Sequence, residues 1–289
     1  MGAYYPVGFQ SMFSKLLFSA NNRREDLDTL PRSDDELARL FNIAAASRNF
    51  HAPIMEDWVA QVILNTAKSI DLMDACSSAT LSKFIDIALE HNYHAALKLV
   101  VDKWCNRLIG KSTPSVPAIQ AADRHEEAKI DDLKKLRGIA YYVHVQDMLD
   151  RQTEHAESGA THLRTDPKLN NGQVMRLLSG YWSLVSLWER LRLNPIPLPR
   201  SSACSVEMHG KCASTWSRRW TSAAGWKRIL GHSSADVLGL LDTLRDQLLN
   251  DDDLKSWLHC DCRTTGLDEI KKLKEKTKEG LAEHFVGCL

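Results

Sequence analysis

The chain has 289 residues, 37 lysines and arginines against 37 aspartates and glutamates, and a hydrophobic fraction of 44%. That profile belongs to an ordinary globular protein with material for a real core, and it excludes collagen-like and wholly disordered chains. A formal charge of zero gives no long-range field for a polyanion, so no nucleic-acid partner is expected.

No apolar run reaches the roughly 18 residues of a membrane span, and the N-terminus lacks the compact apolar core and small-residue cleavage site of a signal peptide. The expected setting is intracellular, without a membrane partner. Seven cysteines, an odd number without the dense spacing of a secreted scaffold, fit reduced thiols.

Helical periodicity runs almost throughout. Phe9, Met12, Phe13, Leu16 and Leu17 form an amphipathic opening. Ser33-Asp34-Asp35-Glu36 has the pattern of a capping box, in which hydroxyl and carboxylate satisfy each other's backbone amides, and the helix it starts would bury Leu37, Leu40, Phe41 and Ala44. Pro53 suits a first helical turn, before the stripe Met55, Trp58, Val59, Val62, Ile63. Two further stripes, Leu81 to Leu89 and Leu97 to Leu108, flank a short His-Asn-Tyr-His turn. Helices joined so closely pack antiparallel, which predicts stacked helical hairpins.

Gly110 to Ala118, with two prolines and no periodicity, reads as a loop between lobes. Its Gly-Lys-Ser is not a phosphate loop, since Cys105 stands where the upstream glycine is required. A long helix follows from Ile130 to Leu149, in which His144 reads as a hydrogen-bonded core residue. Residues 151–172 are polar and read as a mobile linker, with His155 and His162 exposed. Leu177, Tyr181, Leu184, Trp188 and Leu191 then stripe the clearest helix of the chain, with Ser179, Ser183, Ser186 and Arg190 opposite, and Pro195 ends it. Ser233 offers a cap before the stripe Val237, Leu240, Leu241, Leu244, Leu248. The basic stretch from Lys271 is broken by Glu275 and Glu279 and reads as a solvated helix face.

The fold expected is therefore all-α, stacked antiparallel helical hairpins in two lobes with negligible strand. The first lobe spans 33–118, and the second spans 119–289 with its linker at 151–172.

No catalytic motif is present: there is no Gly-x-Ser-x-Gly, no His-Glu-x-x-His and no dinucleotide fingerprint. The acidic pairs sit where helix starts and solvated turns place them. The densest chemistry lies between residues 204 and 226, where Cys204, His209 and Cys212 precede Trp216, Trp220 and Trp226. A loop after the proline-rich Asn194 to Pro199 would let three ligands face one point. If Leu254, Trp257 and Leu258 form a helical stripe, Cys262 stays on its buried side and supplies a fourth ligand, while Cys260 turns away. Cys204, His209, Cys212 and Cys262 would satisfy a closed, structural zinc site, with the tryptophans as an apolar shell. The competing reading makes the cysteines small buried hydrophobes and turns His209 to solvent. No other cofactor is expected.

Residues 135–148, 176–195, the Cys204 to Trp216 stretch and residues 233–244 together resemble the region downstream of the BTB/POZ domain in BTB domain-containing proteins of mushroom-forming fungi. The likeness spans about Pro31 to Phe285. Against that family, residues 1–32 are similar to a remnant of the end of a BTB domain, and its strand-rich half is missing upstream of Gly8. The resemblance implies a non-enzymatic, adaptor-like protein-interaction module whose partner is another protein, with homodimerisation only if a full BTB domain is present. The alternative is a metal-dependent enzyme built around the cysteine and histidine cluster.

Overall fold

The structure is a computed structural model that describes residues 31, 33–49, 51, 53–151, 153–154, 161–162, 165–226, 229 and 231–286, with 153–154 and 161–162 described by backbone alone. The amphipathic segment Phe9 to Leu17, the expected BTB remnant apart from Pro31, and the side chains of His155 and His162 lie outside the described residues.

The fold is all-α. The helices are α1 (Asp34–Asn49), α2 (Pro53–Lys68), α3 (Ile70–Ala75), α4 (Ser78–Glu90), α5 (His94–Ile109), α6 (Ser115–Arg124), α7 (Asp131–Asp150), α8 (Asn171–Leu193), α9 (Val206–Ala224), α10 (Val237–Asn250), α11 (Asp252–Trp257), α12 (Cys260–Glu279) and α13 (Leu281–His284). Within the segment read as a linker, Thr153–Glu154 pairs antiparallel with Thr161–His162, with Thr153 opposite His162.

The chain divides into two compact units, one ending at Lys103 and the other starting at Trp104. The division falls inside α5, not at Gly110 to Ala118 where the sequence places the end of the first lobe. That stretch is mostly a tight turn. Gly110 and Ser112 N–H groups donate to Asn106 and Arg107 carbonyls at 2.9 Å, and Lys111 takes the left-handed conformation at φ 53°. Pro114 then takes the position just before α6, and Pro117 sits in its first turn, where no backbone donor is needed.

In the first unit, α1 packs on α2 and α4, and α2 on α3. Glu36 N–H donates to Ser33 Oγ at 3.3 Å, which is the hydroxyl half of the expected capping box, and Leu37, Leu40, Phe41 and Ala44 are all buried. Phe41 meets Phe84 edge to face, with ring centroids 5.2 Å apart. Asn92 adopts the left-handed conformation after α4, and Tyr93 N–H donates to Ala88 O at 2.8 Å, a wrap that satisfies carbonyls at the helix end.

In the second unit, α7 is buried on nearly every side along Gly138 to Val145, which makes it the central helix; α6, α8 and α13 pack on it. Its Tyr142 hydroxyl donates to Asp236 Oδ1 at 2.5 Å, and that same oxygen accepts the Gly239 N–H at 3.1 Å. Asp236, not Ser233, therefore caps α10. The carboxylate serves a second helix as well as its own, which the neutral Ser233 hydroxyl, bonded instead to the Ala235 N–H, does not. The stripe Val237, Leu240, Leu241, Leu244 and Leu248 is fully buried. α10 packs against α9, α11 and α12.

Candidate functional site

α8 ends where Pro195, Pro197 and Pro199 begin, a stretch that cannot continue a helix. The last four carbonyls of a helix need outside partners. Asn194 supplies the Arg190 carbonyl from both its backbone and its side chain, at 2.9 and 3.0 Å. The next carbonyl, Leu191, accepts the indole N–H of Trp220 at 2.9 Å, and Ile196, between two prolines, accepts that of Trp216 at 3.0 Å. Trp216 and Trp220 lie one turn apart on α9, both buried, with ring centroids 5.9 Å apart. They bind the descending chain against α9. Gly266 of α12 has no Cβ because Leu198 and the Trp216 ring fill that space.

This clamp holds Cys204 beside α9. Cys204 closes a turn by donating its N–H to Ser201 O at 3.1 Å, and Ser205 caps α9 by accepting the Met208 N–H at 3.2 Å. The expected loop is thus a turn followed at once by a helix. His209 and Cys212 sit three residues apart on one face of its first turns.

The partner segment also differs from its expected form. α11 stops at Trp257, which is 68% exposed; Leu258 and His259 are extended, at ψ 143° and 133°, and α12 starts anew at Cys260. Cys262 is buried because it lies in the first turn of α12 facing α9, not because a stripe continues from Leu258. Cys260 is exposed, as expected.

The structure brings three of the four expected ligands together and places the fourth, Cys212, beside them. Ligand atoms of Cys204, His209 and Cys262 all lie within 4.8 Å of one another, and Cys262 Sγ is 3.8 Å from His209 Nδ1. Cys212 Sγ neighbours Cys204 and accepts the His259 N–H at 3.4 Å. The three sulfurs belong to buried residues, and His209 is half-buried. Burial, and after it the Cys262 and Cys212 thiols, push the Cys204 thiol up to about 11, so without a cation it stays protonated. His259, Cys260 and Asp261 form a second close trio on consecutive, largely exposed residues.

Two other groupings invite comparison. Ser115 Oγ lies 2.9 Å from His144 Nδ1 and 3.4 Å from Asp147 Oδ2. Here the hydroxyl stands between imidazole and carboxylate, whereas a nucleophilic triad needs the carboxylate on the far nitrogen of the imidazole. His144 Nε2 has no hydrogen-bond partner among the described residues. As expected, His144 is a buried, hydrogen-bonded core residue.

The other grouping escaped the sequence reading. On α8, Met175, Leu178 and Trp182 are 59%, 41% and 70% exposed, and at i, i+3 and i+7 they share one face, which Leu193 extends. Gln173, Leu177, Gly180, Leu184 and Trp188 are buried on the opposite face. The signal was available as a second apolar stripe, overlooked because the stronger stripe already accounted for the helix.

No protein-family model matches the chain, and neither does any curated protein or solved structure.

Proposed function

We propose that the chain is a non-enzymatic protein-interaction module of the adaptor-like kind implied by its resemblance to BTB-type proteins, and that α8 presents the docking face. The observation that carries this reading is the row Met175, Leu178 and Trp182, large apolar side chains left in water along one face of an otherwise well-packed helix. Contiguous exposed apolar surface marks interaction sites, and tryptophan and methionine are enriched where proteins meet. Trp182 would act as the anchor, since a few such residues dominate binding energy.

The test is affinity purification of the full chain beside its Trp182→Glu variant, with identification of the proteins retained. A partner retained by the parent and reduced about 10-fold or more by the variant supports the reading, while the melting temperature stays unchanged because Trp182 is exposed. Equal retention by both forms, or metal-dependent turnover without any bound protein, overturns it.

A further inference from the structure

We propose that Cys204, His209, Cys212 and Cys262 bind one structural zinc ion that fastens the start of α9 to the start of α12.

Three thiols and one imidazole are a complete ligand set for tetrahedral zinc. The spacing agrees. Sulfur and nitrogen ligands on one ion, at about 2.3 and 2.0 Å from the metal, stand about 3.6 Å apart, and Cys262 Sγ and His209 Nδ1 are 3.8 Å apart. Cys204 completes a triangle with all edges within 4.8 Å. Cys212 stands outside that triangle, beside Cys204 and one helical turn from His209, and a shift of its side chain toward the triangle would supply the fourth corner.

The surroundings suit a metal thiolate. Three thiolates on a divalent ion leave a net negative charge, and the Cys212 sulfur already accepts the His259 N–H at 3.4 Å. Cys262 lies in the first turn of α12, where unpaired amides and the helix dipole favour negative charge. Trp216, one turn beyond Cys212 on the same helix, is buried as well. Soft thiolates select zinc over magnesium or calcium. The three sulfurs are buried and all four ligands come from protein, which leaves no open coordination position, so the ion's role is structural.

Such an ion would join segments far apart in sequence, since His209 and Cys262 are 53 residues apart. It would also fix the turn before the helix whose Trp220 closes the end of α8.

The full chain, purified from zinc-supplemented cells without chelator, is assayed by elemental mass spectrometry. About one zinc per chain is expected. Cys204→Ser and Cys262→Ser should fall below about one tenth of that, and Cys260→Ser should keep it. Chelation should lower the parent's melting temperature by about 5–10 °C. Because the serine variants can fail to fold, the parent is also exchanged with cobalt. Thiolate-to-cobalt charge transfer with intense visible bands supports tetrahedral sulfur ligation, as does chelator-dependent alkylation of Cys204, Cys212 and Cys262. Protein that contains no zinc after incubation with it and melts identically with chelator overturns the assignment. So does a disulfide among these cysteines in protein purified under reducing conditions, or a stoichiometric metal other than zinc.

Discussion

The ring of Phe285 stands in the space that a side chain on Gly180 would need. Phe285 is fully buried and stacks on Tyr141 with centroids 5.3 Å apart, so the contact ties the end of the described chain to α7 and α8 together. Gly180→Ala gains about 0.5–1 kcal/mol of helix propensity but must push a fixed ring aside, and overpacking costs about 1–3 kcal/mol. A net loss in the urea midpoint is expected. Gly210→Ala, on exposed α9 surface with nothing among the described residues within 4 Å of the new methyl, should shift that midpoint upward. Equal shifts in the two variants would show that packing at Gly180 does not matter.

Trp220→Phe keeps most of the ring but removes the donor to Leu191 O. The carbonyl is left unpaired at a half-buried helix end, at a cost of about 1 kcal/mol, with ring volume lost in addition. Hydrogen exchange should then speed up in the last turn of α8 more than in α7. Uniform acceleration across both helices would argue against a local cap.

Asp251 does two jobs with two oxygens. Oδ1 caps α11 by accepting the Leu254 N–H at 2.9 Å, and Oδ2 takes the Arg219 guanidinium at 2.5 and 2.8 Å. Its side chain is 6% exposed, so the pair is little screened. Asp251→Asn retains the cap and loses the charge pairing; Asp251→Ala loses both. The alanine variant should be less stable than the asparagine variant by about 0.5–2 kcal/mol, the worth of a cap. If the two denature at the same urea concentration, the cap contributes nothing.

Stability should fall on mild acidification. Burial, and after it the charge of Arg151, hold the His144 imidazole below its ordinary 6.5, against a smaller opposing effect of Asp147 and Asp166. The unfolded chain therefore takes up a proton at higher pH than the folded one. This contribution to stability is complete above about pH 6.5 and declines as pH drops toward the lowered folded value, by at most about 1.4 kcal/mol per pH unit. His91 and His284, also lowered first by burial, act in the same direction. Denaturant melts between pH 7.5 and pH 5 should show a shallower decline in His144→Gln than in the parent, and an unchanged slope would remove His144 as a contributor.

Strong single stripes were legible in the sequence. The faces of α1 and α10 and the buried positions of α5 follow directly from 3.6-residue spacing, because burial of such a face is what stabilises a helix at all. Boundaries were harder. Pro117 looks like a helix breaker but falls where a first turn tolerates it, and Asp236 outcompetes Ser233 for a reason, Tyr142, that lies 94 residues away. For the cysteine cluster, residue types and spacing were enough to single out Cys204, His209 and Cys262, which the structure gathers, and Cys212, which it places beside them. The extended Leu258–His259 step that aims Cys262 at α9 was not visible, since Trp257 continues the apolar pattern while pointing into water.

Because Trp220 supplies the donor that Leu191 lacks, the last turn of α8 depends on a residue 29 positions further along the chain. A peptide of residues 170–200 would carry its own start signal in the Asn170–Gln173 capping box, yet no donor for the Leu191 carbonyl. As the chain assembles, α8 is therefore set to grow from its beginning and to acquire its final turn only once α9 has docked. The length of this helix is a tertiary property, fixed from outside its own sequence.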